Sequence, residues 1–500
     1  MIKLSNILNH VEITEVIGRK DISIQGVALH SGQVREGFLF IAIRGEKSDG
    51  HTYINDAVRR GAVAVICENY PESSAKTTII VKDSRITASK IAANFYGHPS
   101  KKLRVIGITG TNGKTTVAYL CRNILASAGE KTGLIGTIQY IINGRTIPAE
   151  RTTPDSVLIQ SLLREMVDDN CRAVTMEVSS HSLVQHRVDD VEFDAGIFTN
   201  LTRDHLDYHK TMEEYLNAKT LLFRNLLENK TKNFPKTAII NIDDSASSEI
   251  IKNTNASVFR YGIDKECDIR ASNIKLSTTE TTFNLRLPDI EVQVKTSLHG
   301  RHNIYNILAA TGMAISQGIA IEAIIEGIEK TSHVPGRLQF IPNKLGISVV
   351  VDYAHTDDAL KNVIGALREF AKGKIIVVFG CGGDRDPGKR PKMGRVVGEL
   401  ADMAIVTSDN PRSEDPEKII KQISSGIPKG FEYIEIIDRK EAIRRAIEVA
   451  KHNDTILIAG KGHETYQQFK NNIVIFDDCE VAAEVISDLE AVHNFRGGKA

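Results

Sequence analysis

Residues 103 to 129 constrain the fold of this 500-residue chain more tightly than any other stretch. An apolar run, LRVIGITG, enters a glycine-rich turn and leaves it as VAYLCRNILASAG. The second segment sets Val117, Leu120, Cys121, Ile124, Leu125 and Ala128 at helical spacing and closes at Gly129. Between them lies Gly110-Thr111-Asn112-Gly113-Lys114-Thr115-Thr116. Glycines let backbone N–H groups curl around a phosphate, and the helix N-terminus adds positive potential. Lys114 then reaches the β- and γ-phosphates, and Thr115 is placed to ligate Mg²⁺. Position 108 is Ile, so the strict GxxxxGK[ST] spacing is not met and Gly110 supplies the upstream glycine. Strand, GK[ST] and helix nevertheless coincide, which favours ATP or GTP binding over an ordinary glycine turn.

The same strand-helix alternation recurs on either side. FLFIAI and AVAVIC read as buried strands and NDAVRRG as a helix ending at Gly61, while GHPSKK, residues 97 to 102, reads as a linker. Beyond about residue 335, ISVVVDYAH, KIIVVFGCGG, DMAIVTSD and DTILIAGKG alternate with helical DDALKNVIGALREFAK and KEAIRRAIEVAKH. Such alternation implies right-handed crossovers and a mostly parallel, doubly wound sheet. The expected fold is α/β in three domains, the number that about 150 residues per domain also gives. These are a smaller N-terminal α/β domain (1–98), a central P-loop ATP-binding α/β domain (99–335) and a C-terminal Rossmann-like doubly wound domain (336–500). A GxGxxG dinucleotide site is disfavoured, because GCGGDR lacks the third glycine.

Composition removes several function classes. Lys plus Arg and Asp plus Glu number 63 each, which argues against a nucleic-acid protein relying on counterion release from a basic face, so any polyanion must be held locally. Six scattered cysteines without a CxxC pair read as reduced thiols in a cytoplasm. No apolar run approaches the roughly 20 residues of a membrane span, and MIKLSNILNHVEITEV lacks a signal-peptide core. The expected state is a cytoplasmic monomer, without nucleic-acid partners or membrane insertion.

Polar residues that follow strands are the ones to inspect. AVTME ends at Glu177, placed like the second protein ligand of a nucleotide-bound Mg²⁺. The run from Asn200 to His209 is rich in ligand-type side chains. His205 and His209 stand four apart without the glutamate of HExxH, so a zinc-protease site fails and hard oxygens favour Mg²⁺.

GTNGKTT, MEVSSH, TNLTRDHLDYH, GRHNIYNILAA, VPGRLQ, VDYAHT, FGCGGDRDPGKRP, SDNPR and AGKGHE occur in the order seen in Mur ligases, and the chain resembles that family over essentially its whole length. The resemblance implies a cytoplasmic ATP-dependent acid–amino-acid ligase of peptidoglycan synthesis, adding meso-diaminopimelate to UDP-N-acetylmuramoyl-L-alanyl-D-glutamate through an acyl phosphate. It implies ATP and Mg²⁺, with Thr115 and Glu177 on one Mg²⁺ and His205 and Lys219, the latter as a carbamate, serving a second. Lys114, Glu177, His205 and Lys219 become the catalytic set. Gly110 to Thr116 with His302, Asn303, Arg337, Asp352 and His355 would hold ATP. Leu29, Ser31, Thr152, Thr153, Ser179, Gln185 and Arg187 would meet the UDP-substrate. Arg385, Asp409, Asn410, Pro411, Arg412, Gly460 and Glu464 would bind diaminopimelate, whose extra carboxylate suits a guanidinium fork.

Three positions depart from the family pattern: His30-Ser31-Gly32 replaces the usual Asp-Ser-Arg, Arg151 replaces Asn, and Asp357 follows His355-Thr356 where Pro is usual. The alternatives are a paralogue or folylpolyglutamate-synthase-like ligase with another acceptor, and a phosphate-loop regulatory ATPase. The last would need no second anion pocket of the kind GCGGDRDPGKRP suggests.

Overall fold

Continuous apolar strands require cover on both faces, and the computed structural model supplies it in two units, Met1–Arg270 with Tyr305–Ile328, and Ala271–Ile304 with Glu329–Ala500. The structure describes residues 1–45, 48–71, 75–225, 227 and 231–497, so the last residues of the polar FRGGKA tail lie outside it.

The first unit opens with a sheet ordered Glu15–Gly18, Thr77–Ile80, Ala62–Cys67, Phe38–Ile41 and Gly26–Ala28. The first pair is antiparallel and the rest are parallel, with FLFI and AVAVIC central as their sequence requires. A helix, Ile54–Arg59, precedes Gly61, whose φ of 108° only glycine adopts readily. The expected linker is a packed junction. Pro99–Lys102 forms a 3₁₀ turn with Ser100 buried; Ser100 Oγ accepts from Glu192 N–H at 3.1 Å, and Lys232 Nζ donates to the Ser100 and Leu103 carbonyls. Composition alone misses this because its polar groups are satisfied by distant residues.

The same unit then builds a larger sheet around the strand Arg104–Thr109. Its neighbours are Ala173–Glu177 on one side and Ala195–Phe198 on the other, both parallel, followed outward by Thr132–Ile135 and by Thr237–Asn241 and Ser257–Gly262. An antiparallel hairpin, Gln139–Ile142 with Arg145–Pro148, closes one edge. Lys114–Ser127 follows the central strand and buries Val117, Leu120, Cys121, Ile124 and Leu125; Ala128, expected on that face, is the exposed C-cap.

The second unit carries a sheet ordered Gln339–Ile341, Ser348–Asp352, Thr455–Ala459, Ile375–Phe379, Met403–Val406 and Tyr433–Glu435, parallel except at its first pair. Side chains alternate between faces along each strand. Val350, Val377, Phe379, Ala404, Val406 and Leu457 enter one apolar cluster, and Val349, Val351, Ile376, Val378, Ile405, Ile456 and Ile458 the other. Helices Asp357–Arg368, Lys389–Leu400 and Pro416–Ser424 cover the first face, and Arg439–Val449 with Asp478–Gly497 the second. A hairpin, Tyr466–Phe469 with Asn472–Ile475, stands apart from this sheet.

Candidate active site: a phosphate loop and a two-charge pocket

The carboxyl end of Arg104–Thr109 turns through Gly110 and Gly113, whose φ values are 146° and 86°. A Cβ on Gly110 would overlap Thr199 Oγ1, and one on Gly113 would overlap Asn306 Oδ1, so both positions need glycine for space as well as conformation. The neighbouring strand end braces the loop. Thr111 N–H donates to Asn200 O and Asn112 N–H to Asn200 Oδ1, both at 2.9 Å, while Thr199 Oγ1 donates to Asn112 O at 2.7 Å. Lys114 folds over the loop, donating from Nζ to the Gly110 and Thr111 carbonyls at 2.8 Å each.

Glu177, 1% exposed at its strand end, is reached from three sides. Thr115 Oγ1 donates to Oε2 at 2.9 Å, and Thr137 donates from N–H to Oε1 at 2.8 Å and from Oγ1 to Oε2 at 3.0 Å. A Cβ on Gly136 would come 2.5 Å from Oε1, so glycine keeps the cradle open. Hard oxygens from Thr115, Thr137 and Glu177 are the donor type that Mg²⁺ prefers. Among the described residues no three His, Cys, Asp or Glu side chains stand together as a metal cage, so such an ion would draw its other ligands from phosphate and water.

Lys219 is 1% exposed, donates to Gly110 O at 2.9 Å and lies 4.1 Å above the Tyr215 ring. Burial, reinforced by the Lys114 charge, holds its amine well below the usual lysine range. His205 caps Leu206–His209 with a φ of 53°, and its ring meets His181 at 4.9 Å. His209, 4% exposed, pairs its Nε2 with Ser180 Oγ at 2.8 Å; burial and nearby His181 push it down to about 4. The four residues expected to be catalytic therefore all belong to this one unit, with Lys114 and Lys219 converging on Gly110.

Thr152, Thr153, Ser179, Gln185 and Arg187 form a chain leading away from Glu177. Thr137 and Thr152 hydroxyls meet at 3.0 Å, Thr153 Oγ1 donates to Glu177 O at 2.8 Å and Ser179 N–H donates to Thr153 Oγ1 at 3.0 Å. Arg187 donates to Thr153 O at 2.7 Å and to Gln185 Oε1 at 2.5 Å. Leu29 and Ser31 lie at the N-terminal sheet, where Ser31 hydrogen-bonds the Asp56 carboxylate and Gly32 faces open space.

In the second unit, Arg337, Asp352 and His355 gather around Tyr353. The Arg337 guanidinium sits 4.9 Å over the Tyr353 ring, the His355 ring lies 4.6 Å from it, and Asp352 accepts the N–H groups of Leu338 and Ala354 at 2.8 Å. His302 and Asn303 stand in the first turn of Arg301–Ser316, where Asn303 Nδ2 donates to His299 O at 2.8 Å.

The remaining predicted residues form a pocket of opposed charge. Asn410, 2% exposed, donates to Glu464 Oε2 at 2.9 Å and accepts from Lys461 Nζ at 3.3 Å. Burial raises the Glu464 carboxyl, against the opposing effect of Lys461. A Cβ on Gly460 would lie 2.7 Å from Asp409 Oδ2. Arg412 and Arg385 flank Gly382, and Arg412 Nη1 donates to Gly383 O at 2.8 Å. Behind them Arg390, 1% exposed, grips Glu414 through both terminal nitrogens at 2.9 and 2.8 Å. Sequence reasoning missed Thr137, Lys461 and the brace from Thr199. Only Lys461 carries a signal, a lysine between two glycines after a buried strand; the others act through hydrogen bonds that no local pattern encodes.

An α/β phosphate loop beside a buried strand-end carboxylate, with a doubly wound unit bearing a cluster of both signs of charge, defines a nucleotide-dependent ligase architecture. The chain belongs to the Mur ligase family. Models described as Mur ligase family, catalytic domain, Mur ligase middle domain, and Mur ligase, glutamate ligase domain match residues 23–106, 108–314 and 336–462. It is 44% identical over 490 residues to UDP-N-acetylmuramoyl-L-alanyl-D-glutamate--2,6-diaminopimelate ligase 1 of Clostridium acetobutylicum, covering 97% of this chain and 100% of that one. It is 45% identical over 492 residues to the Clostridioides difficile protein of the same name without the numeral, with the same coverage. A solved structure of such a ligase superposes with a TM-score of 0.70 at 32% identity, covering 98% of this chain and 99% of that one. The MurF ligase of Thermotoga maritima in complex with ADP shares the fold, with a TM-score of 0.63 at 20% identity and coverage of 94% and 98%.

Proposed function

We propose that this chain is the ATP-dependent ligase that joins meso-diaminopimelate to UDP-N-acetylmuramoyl-L-alanyl-D-glutamate in the cytoplasm, as a monomer, in peptidoglycan precursor synthesis. Residues 1–98 hold the nucleotide end of the UDP-substrate, 99–335 hold ATP, and 336–500 hold the amino acid. The D-glutamate γ-carboxylate attacks the γ-phosphorus of ATP, releasing ADP and leaving an acyl phosphate. The diaminopimelate amine then adds to the acyl carbon, loses its proton, and expels inorganic phosphate as the amide forms.

Lys114 and the N–H groups of the phosphate loop stabilise charge on the transferring phosphoryl group. Thr115 and Glu177 would hold Mg²⁺, which when bound would neutralise charge at the phosphates. Lys219 as a carbamate, formed from its amine and CO₂ with loss of a proton, would turn a repelling cation into an anionic oxygen ligand, and with His205 it would hold a second Mg²⁺. His302, Asn303, Arg337, Asp352 and His355 contribute to the ATP site. Thr152, Thr153, Ser179, Gln185 and Arg187, with Leu29 and Ser31, orient the acceptor.

The observation that carries this reading is the gathering of both signs of charge on neighbouring segments: Arg385 and Arg412 flank Gly382, Asp409 lies against Gly460, and Glu464 accepts from buried Asn410. Diaminopimelate brings two carboxylates and two ammonium groups, and a pocket with both signs of charge answers each end. The test supplies ATP, Mg²⁺ and the UDP-dipeptide with either meso-diaminopimelate or L-lysine, and follows phosphate release and product mass. A diaminopimelate adduct forming far faster than a lysine adduct is expected. Phosphate release independent of both substrates would mark a non-ligating ATPase, and no product with either amino acid a paralogue with another acceptor.

A further inference from the structure

Arg412 adopts a φ of 53°, a left-handed conformation that a side-chain-bearing residue rarely takes. Within its own segment Glu414 N–H closes a turn on Pro411 O at 3.0 Å around it. A second restraint comes from the hairpin Tyr466–Phe469/Asn472–Ile475. Arg412 N–H donates to Gln468 O at 3.0 Å, Lys470 N–H returns to Arg412 O at 2.5 Å, and Arg412 pairs with Phe469 as an isolated parallel bridge.

The hairpin touches the rest of the segment as well. Gln468 N–H donates to Asn410 Oδ1 at 3.0 Å, which leaves the Asn410 amide nitrogen for Glu464. Gln467, 4% exposed, sends Nε2 to the Asp409 carbonyl at 2.9 Å and the Ser408 carbonyl at 3.4 Å. Core formation does not account for this element: Ile473 and Ile475 on its second strand are 67% and 90% exposed. Its inner edge is satisfied by main-chain and amide contacts to residues 408, 409, 410 and 412.

We propose that this hairpin is a template that pre-sets the amino-acid pocket, with Gln467 as its positioning residue, so that the Arg412 guanidinium and the Asn410 amide are aimed before the substrate arrives. The proposal rests on the reading of the pocket as the diaminopimelate site. A group held in place before binding pays less ordering entropy when the ligand enters, and the gain falls on the ligand read by that group. Gln467 touches neither ATP nor the UDP-substrate in this scheme, so its effect is confined to one substrate.

Gln467→Met keeps the length of the side chain and removes both donors. The KM for diaminopimelate should rise about tenfold or more, while the KM values for ATP and the UDP-dipeptide stay within about twofold and the preference over L-lysine shrinks. Ile475→Ser, on the exposed strand, should leave all three KM values unchanged. An unchanged diaminopimelate KM in folded Gln467→Met, or an equal rise in all three, would overturn the proposal. Hydrogen exchange on the unaltered protein gives an independent arm that does not depend on the variant folding. The Arg412, Gln468 and Lys470 amides should be protected without any amino acid present, and rapid exchange there would also overturn the template. If the unaltered protein forms no product with either amino acid, the substrate reading falls, and the exchange arm alone decides whether the template exists.

Discussion

Lys114 and Lys219 place their Nζ atoms on one acceptor, the carbonyl oxygen of Gly110, at 2.8 and 2.9 Å. Two ammonium ions on a single carbonyl repel strongly where water is scarce. Lys219 is 1% exposed, and burial together with the Lys114 charge holds its amine well below the usual lysine range. The loop thereby holds Lys114 by two carbonyls and sets beside it a buried amine whose charged form is disfavoured.

That amine should depend on dissolved CO₂. Activity should fall in CO₂-stripped buffer and return with bicarbonate, and ¹³C-bicarbonate should give a carbamate resonance that is missing from Lys219→Ala. Lys219→Arg keeps a permanent charge beside Lys114 and cannot form a carbamate, so kcat should drop by about 100-fold or more. A full rate in CO₂-free buffer would count against this role.

Gly110→Ala tests the loop. The new methyl group meets Thr199 Oγ1, and a φ of 146° is strained for any side chain. Nucleotide affinity should weaken by about tenfold or more, with thermal stability lowered by about 1–3 kcal/mol from backbone strain. Isothermal titration with ADP reads the first effect and calorimetry the second; wild-type affinity would mean the loop reshapes freely.

Much of this was legible from the chain alone, for identifiable reasons. Strands Ile375–Phe379 and Met403–Val406 are apolar throughout, and Thr455–Ala459 is apolar after Thr455, because both faces are covered, and that pattern survives in sequence. The phosphate loop declared itself through glycines that cannot be replaced. What stayed hidden depends on partners far apart in sequence: Ser100 is hydrogen-bonded by Glu192 and Lys232, Thr137 joins the candidate site only because Glu177 lies beside it, and the left-handed Arg412 is bonded by Gln468 and Lys470. The hairpin also breaks the expected rule that apolar strand residues are buried, Ile473 and Ile475 being exposed, so its composition gave no warning of its role.

Arg412 should be the reader of the distal carboxylate. Arg412→Ala is expected to lower kcat/KM for diaminopimelate by about 10²- to 10⁴-fold, with the KM for ATP little changed. Arg412→Lys should recover only part of the loss, because an ammonium cannot offer a planar fork. The comparison with L-lysine is decisive: its turnover should barely change in either variant, and a parallel fall for both amino acids would assign Arg412 to the scaffold instead.

The Arg390–Glu414 pair makes a pH prediction. Both guanidinium nitrogens of Arg390 and the Asp384 N–H donate to the Glu414 carboxylate, and these bonds lower its pKa from 4.5 to about 2. Between those values the unfolded chain binds the proton that the folded chain refuses, so the pair's contribution is complete above about pH 4.5 and is lost as the pH falls toward 2. Glu414→Gln strands the Arg390 charge, which is 1% exposed, while the carboxylate it removes was 34% exposed and partly screened. The cost at neutral pH should therefore be about 2 kcal/mol, below the range for a fully buried pair. Urea unfolding from pH 7 down to pH 2 should give a shallower acid limb for the variant than for the unaltered protein, the two curves converging as the pH drops. Parallel curves would show that Glu414 titrates alike in both states, and the pair would then owe its place to geometry alone.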